Sequence, residues 1–238
     1  MPMMLRVENL SSGYADTVIL DGVSLSISKG EVVALLGRNG AGKTTLLRTI
    51  SGLLPAKSGR VRLGDTDITR WSPERRVRAG IAHVPQGRRI VVGLSVRDNL
   101  MAGAYVLGSR RQREERLRQV LDLFPLLRPW MSRDGQSLSG GQQQLLAIAR
   151  ALMSPAALLL LDEPLTGLSP AASSEVLSRI NDLKRTGRSI LLVEQAVALA
   201  LQVSDRFYVM DRGQAGPSRH ATDAGDLADI QRAYLGTT

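Results

Sequence analysis

Gly37-Arg38-Asn39-Gly40-Ala41-Gly42-Lys43-Thr44-Thr45 follows the apolar run Val32-Val33-Ala34-Leu35-Leu36 and precedes Leu46-Leu47-Arg48-Thr49-Ile50. That order reads as a strand, a glycine loop and the start of a helix. G-x-x-x-x-G-K-[ST] is the phosphate-binding P-loop. Its glycines let the backbone turn tightly and keep side chains from between the N–H groups and a phosphate. A helix beginning near Lys43 aims its positive dipole end at the same anion. In this reading Lys43 reaches the terminal phosphates and the Thr44 hydroxyl holds Mg²⁺.

Downstream, Ala157-Leu158-Leu159-Leu160-Leu161-Asp162-Glu163 reads as a buried strand ending in two acids. Paired with a P-loop, Asp162 would hold Mg²⁺, and Glu163 is placed to orient and deprotonate an attacking water. Ser189 to Val193 is another buried strand, ending at Glu194-Gln195. Between the P-loop and the acidic strand, Leu138-Ser139-Gly140-Gly141-Gln142 opens a helix carrying Leu145, Ile148, Ala149 and Leu152. Glycines at that helix start suit either a second phosphate site or a capped turn, and the motif alone does not separate them.

Before the P-loop, Leu5–Leu10 and Val23–Ile27 alternate apolar and polar residues, so an antiparallel pair is expected. Ser11-Ser12-Gly13 reads as a turn, and Tyr14 beside it, from position alone, as a surface or edge residue. Gly52 to Gly59 closes the segment after the P-loop helix, and Arg60–Leu63 is a short strand. Ser72-Pro73 suits an N-cap followed by a first helical residue. Ile81 to Gln86 is a strand with a polar end, in which His83 is structural.

From Leu94 to Ser137 the texture becomes helical, with Leu117, Val120, Leu121 and Phe124 on one stripe of a helix over 110–127. The charge run Arg110–Arg116 reads as a solvated face. Pro164–Pro170 is a loop, Ala171–Thr186 a helix, Ala196–Val203 helical, Arg206–Asp211 a strand, and Leu227–Leu235 a weak terminal helix. The organisation predicted is one α/β domain: a mainly parallel core over 1–93 and 138–238, an N-terminal antiparallel part, and an all-helical insertion over 94–137.

The bulk numbers set limits. The 238 residues are 43% hydrophobic and 22% charged, an ordinary globular balance long enough for a full core. With no cysteine there is neither a disulfide framework nor a cysteine metal site. No signal sequence is seen at the start, and no run nears the roughly 18 apolar residues of a spanning helix. A cytosolic protein, or one held at a membrane by a partner, is expected. Net charge +9 invites nucleic acid, but the basic residues are dispersed and aromatics are only 3%. That leaves little for base stacking, so no nucleic-acid partner is expected.

With glycine loop, Leu138-Ser139-Gly140-Gly141-Gln142 and the Asp162-Glu163 strand in that order, the chain resembles ABC-type ATPases over essentially its whole length. The resemblance implies ATP with Mg²⁺, with Gly37, Arg38, Asn39, Gly40, Ala41, Gly42, Lys43, Thr44 and Thr45 around the phosphates. It makes Tyr14 the residue that stacks on adenine, Gln86 and Asp162 metal-side residues along with Thr44, and Glu163 the catalytic base. Ser139, Gly140, Gly141 and Gln142 would bind the γ-phosphate of ATP held by an opposite subunit. Gln195 replaces the usual γ-phosphate histidine, and Ser169 an aspartate that usually crosses the dimer interface.

More finely, Val84-Pro85-Gln86-Gly87-Arg88-Arg89, Gly167-Leu168-Ser169-Pro170, Leu192-Val193-Glu194-Gln195 and Ala233-Tyr234-Leu235-Gly236 resemble the shorter ATPase of branched-chain amino-acid importers. Importers of urea or short amides are near relatives. The implied partners are membrane permease subunits, a second ABC ATPase chain (a heterodimer favoured, with a homodimer left open) and, indirectly, a solute-binding protein. The implied place is the cytoplasmic face of the membrane. The rival is a non-transport ABC ATPase acting on nucleic acid, with exporters a smaller alternative.

Overall fold

The computed structural model describes residues 2–223. Its strands in chain order are β1 (Met3–Tyr14), β2 (Thr17–Ser28), β3 (Val32–Leu36), β4 (Ala56–Leu63), β5 (Thr66–Asp67), β6 (Ile81–Val84), β7 (Leu158–Asp162), β8 (Ser189–Glu194), β9 (Arg206–Asp211), β10 (Gln214–Ala215) and β11 (Arg219–His220). The α-helices are α1 (Lys43–Ile50), α2 (Pro73–Arg78), α3 (Val96–Gly103), α4 (Arg110–Leu123), α5 (Gly140–Leu152), α6 (Pro170–Arg185) and α7 (Val197–Leu201). The expected terminal helix Leu227–Leu235 and the Ala233–Gly236 ending lie outside the described residues.

Two sheets carry the fold. The larger runs β10-β9-β3-β8-β7-β6, with β9, β3, β8, β7 and β6 all parallel. The smaller is antiparallel, β2-β1-β4-β5. The chain therefore has the α/β architecture that its strand pattern predicts.

The parallel strands look continuously apolar because both faces are covered, while side-chain direction still alternates. Val32, Ala34 and Leu36 of β3, with Leu159 and Leu161 of β7, pack in one core with α3–α6. Val33 and Leu35, with Leu158 and Leu160, pack in a second core against the antiparallel sheet and α1. P-loop, Gln86, Asp162 and Glu194 all follow or end parallel strands, so the sheet gathers them along its carboxyl edge.

Several boundaries differ from the sequence reading. Ser11–Gly13 is not a turn: β1 runs through it, bulged, and the hairpin turns at Ala15-Asp16. Ser12 is fully buried, donating to the Pro55 carbonyl at 2.8 Å and accepting from the Thr49 hydroxyl at 3.0 Å. That tertiary partnership, invisible in a local pattern, keeps the serine in a strand. A Cβ on Gly13 would stand 1.9 Å from the Thr17 carbonyl oxygen, so a glycine is needed for strand pairing rather than for a turn. The segment after α1 also pairs earlier than expected, with Ala56 opposite Ser12.

α4 stops at Leu123 because Pro125 disfavours helical backbone at Phe124, whose φ and ψ are −125° and 60°. The chain continues as a 3₁₀ turn over Pro125–Trp130, and Phe124 and Leu127 stay fully buried. Within the charge run Arg110–Arg116 most side chains face solvent, but Arg116 reaches the Ser154 carbonyl at 2.7 Å. α6 begins at Pro170 rather than Ala171, with Ser169 as its N-cap accepting from the Ala172 N–H at 3.3 Å.

Candidate active site

β3 delivers the glycine loop to the start of α1. Gly42 is the N-cap at φ 106°, a conformation costly for any residue with a Cβ, and no side chain caps the helix. The first N–H groups of α1 are thus left to an anion. Tyr14, Ile19, residues 39–45, Gln86 and Glu163 line one cavity of about 340 Å³ over this helix end. Tyr14 forms part of its wall, 43% exposed, its hydroxyl accepting from Arg48 Nη1 at 2.9 Å. The residue read from position alone as a surface tyrosine therefore belongs to the cavity.

Lys43 is 4% exposed and donates to the carbonyls of Gly37 (2.8 Å) and Arg38 (3.0 Å). Its ammonium also lies 3.4 Å from Glu163 Oε1. Glu163 leaves β7 in left-handed backbone, φ 46°, a strain of about 1–2 kcal/mol for a residue with a side chain. Its N–H is fixed by the Val193 carbonyl at 3.0 Å. The Glu163 carboxylate accepts from Gln86 Nε2 at 2.9 Å and from Gln195 Nε2 at 2.8 Å. Gln195 also donates to Asn39 Oδ1 at 2.7 Å. The structure thus unites P-loop, Gln86, Asp162, Glu163 and Gln195 from four strand ends.

Asp162 is 2% exposed, and its Oδ1 accepts from the Thr44 hydroxyl at 3.1 Å. Burial raises its pKa, opposed by the Thr44 hydrogen bond and reinforced by Glu163. Its Oδ2 is buried without a hydrogen-bond partner. A buried orphan carboxylate oxygen beside a threonine hydroxyl fits a hard divalent cation such as Mg²⁺. His83 is different: burial lowers its pKa to about 4, and among the described residues no group of three His, Cys, Asp or Glu gathers around any metal position.

Ser139–Gln142 do not line the cavity. They form the first turn of α5 as a capping box, the Ser139 N–H donating to Gln142 Oε1 at 3.0 Å and the Gln142 N–H to Ser139 Oγ at 3.4 Å. The Arg88 guanidinium packs over Gly140.

A profile of the ABC transporter family matches residues 20–166. The chain belongs to that family. This ABC ATPase is 39% identical, over 98% of its length and 100% of the relative's, to the high-affinity branched-chain amino acid transport ATP-binding protein BraG of Pseudomonas aeruginosa. It is 37% identical to the lipopolysaccharide export system ATP-binding protein LptB of Escherichia coli, over 98% of this chain and 97% of that one. Among solved structures, the ADP conformation of MJ1267, an ATP-binding cassette of an ABC transporter, superposes with a TM-score of 0.89 at 28% identity, covering 100% of both chains. The protein is accordingly a nucleotide-binding ATPase with the cassette fold. No described helix is long and apolar enough to cross a membrane.

Some residues that fix the elements around the site carry no sequence signal. Arg76, 3% exposed, donates to the carbonyls of Thr49 (2.7 Å), Ile50 (2.8 Å) and Thr69 (2.7 Å), closing the far end of α1. Asn99, fully buried, donates to the carbonyls of Val91, Leu94 and Ser95 and accepts from the Val91 N–H and Arg150. Arg150 of α5 donates in turn to the Arg89 carbonyl at 2.6 Å. These two residues staple the loop after Gln86 to the helix that begins at Gly140. Only the Pro73 helix start, near Arg76, was a legible clue.

Proposed function

We propose that this ABC ATPase hydrolyses ATP to drive import of branched-chain or related amino acids through a separate membrane permease. The observation that carries the substrate class is the end-to-end 39% identity with BraG. Water attacks the γ-phosphorus in line as the bond to the β–γ bridging oxygen breaks and ADP leaves; Glu163, left-handed at φ 46° and held by Gln86 and Gln195, takes the water's proton. The terminal phosphates compete with Glu163 for Lys43, which frees the base as nucleotide arrives. Thr44, Asp162 and Gln86 would hold Mg²⁺, which when bound supplies charge neutralisation at the phosphates. Tyr14 stacks on the adenine, and Ser139–Gln142, outside the cavity of their own chain, meet the γ-phosphate of a partner ATPase's ATP. Gln195 supplies an amide donor where a histidine is usual, and Ser169 serves as a helix cap where an aspartate is usual.

The permease contact lies in a second cavity, about 460 Å³, lined by His83, Arg89, Val91, Tyr105, Arg150 and neighbouring residues. Leu53, Val91 and Tyr105, which line it, are 61%, 40% and 57% exposed, large apolar groups brought together beside the loop after Gln86. The Asn99–Arg150 staple carries movement between this surface, Gln86 and α5. Peripheral attachment to the cytoplasmic face of the membrane and pairing with a second ATPase chain follow from the same reading.

The 37% identity with LptB supports export of a lipid as a second reading. A tagged pull-down from gently solubilised native membranes decides between them. Recovery of a multi-span permease with a second ATPase, and ATP-driven leucine uptake by that complex in vesicles, is the result expected. Recovery with lipid-export components, or only with soluble nucleic-acid proteins, would overturn the importer reading.

A further inference from the structure

We infer that Glu194 is a positioning residue for hydrolysis, joining through its two carboxylate oxygens the loop that follows Glu163 to the turn that carries Gln195. Glu194 ends β8, the strand flanked by β3 and β7, and pairs in register with Leu36, the residue before the P-loop. It is 2% exposed. Its Oε1 accepts from the Leu165 N–H at 2.9 Å and its Oε2 from the Gln195 N–H at 3.2 Å. Leu165 lies two residues beyond Glu163, and Gln195 donates its side-chain amide to the Glu163 carboxylate.

Burying a carboxylate is costly, and no cation pairs with this one among the ion pairs of the described residues. A single backbone N–H would be satisfied by a neutral acceptor. The two N–H groups, from two separate segments, each take a different oxygen of this one side chain, where an amide would offer a single acceptor oxygen to both. The neighbouring Val193 carbonyl holds the Glu163 N–H at 3.0 Å, so consecutive residues of β8 fix the main chain on both sides of Pro164. Glu194 is not among the residues lining the P-loop cavity, and its influence on chemistry passes through Glu163 and Gln195. Hydrolysis tolerates little misplacement of base and water, so loosening this clamp should lower turnover more than nucleotide affinity.

This inference rests on Glu163 being the base, and the two fail by different results. Full-length Glu194→Ala, Glu194→Gln, Gln195→Ala, the Glu194→Ala/Gln195→Ala double variant and Glu163→Gln are compared for kcat and for ATP affinity, in complex with the permease if turnover requires it. Glu194→Ala should lose roughly 10- to 100-fold in kcat while ATP affinity changes less than about threefold. Glu194→Gln, keeping one acceptor, should fall between it and the native chain. In the Gln195→Ala background the further loss should shrink, because both changes release the same carboxylate. Should Glu194→Ala fail to fold, Glu194→Gln and Gln195→Ala complete the cycle. Unchanged kcat, equal loss of kcat and affinity, or fully multiplicative losses would overturn the role of Glu194 even if Glu163→Gln is inactive. Undiminished turnover in Glu163→Gln would instead remove the base and leave the clamp without a reaction to serve.

Discussion

Gln195 and Glu163, 32 residues apart in the chain, are joined by a 2.8 Å hydrogen bond from amide Nε2 to carboxylate Oε1. Gln86 donates to the other oxygen at 2.9 Å, so two glutamines orient one acid between them. Neither glutamine changes charge near neutral pH, so the acid is oriented by neutral donors.

Glu163→Gln should leave ATP binding near the native level and cut steady-state phosphate release by at least about 10²-fold. Nucleotide titration and phosphate release on the same preparation test this. Native turnover in the variant would remove Glu163 as the base.

Tyr14→Ala should weaken ATP by about 1 kcal/mol, roughly fivefold, through loss of stacking. Inorganic triphosphate should bind almost as before, because the α1 end and Lys43 are untouched. Equal losses in calorimetric titrations of both ligands would take Tyr14 out of the adenine site.

Asp162→Ala removes the carboxylate whose Oδ2 is buried and unpartnered. The Mg²⁺ concentration for half-maximal hydrolysis should rise at least about tenfold, measured by titrating Mg²⁺ at fixed ATP. An unchanged Mg²⁺ requirement would contradict the placement of the ion.

Arg76→Leu strands the carbonyls of Thr49, Ile50 and Thr69. Chemical denaturation should show a loss of about 2–4 kcal/mol, with nucleotide affinity of the folded fraction little changed. A loss under about 0.5 kcal/mol would mean that water replaces the guanidinium at no cost.

The pH dependence of stability has a sign fixed by Glu194. Burial raises its pKa from 4.5 to about 7 against the pull of the Leu165 and Gln195 N–H groups, and Glu163 adds to the rise. Glu163 is the charged group acting on it, and Asn39, Ser173 and Gln195, which line the same cavity as Glu194, are neutral. Between about 4.5 and about 7 the folded chain keeps a proton that the unfolded chain has released. Stability from this residue therefore declines as pH rises through that window and is level above it. Relative to Glu194→Gln, the native chain should lose on the order of 3 kcal/mol between pH 5 and pH 8. Parallel denaturation curves at both pH values check it; identical slopes for the two proteins would refute the assignment.

The P-loop and the acidic strand end were legible because their signals are local: a glycine spacing that only one backbone path satisfies, and an apolar run closed by two acids. Parallel strands buried on both faces likewise announce themselves as unbroken apolar runs, so the α/β body could be read directly. The Ser11–Gly13 turn was misread because composition near a bulge resembles a turn, whereas burial of Ser12 against Pro55 and Thr49 depends on residues far along the chain. Tyr14 shows the same limit. Its neighbours in sequence say surface, and only the return of α1 beneath β1 and β2 places it over the glycine loop.

By itself, then, the sequence determined the phosphate loop, the acids that follow β7, the kind of sheet that carries them and the family. Tertiary structure decided which polar groups meet: Gln86 and Gln195 on Glu163, Glu194 on Leu165 and Gln195, and Arg76 on the end of α1. The difference is one of range. Backbone conformation and burial periodicity are set by near neighbours in the chain, while a hydrogen bond between residues 32 or 77 positions apart exists only after the parallel strands have brought their carboxyl ends into register.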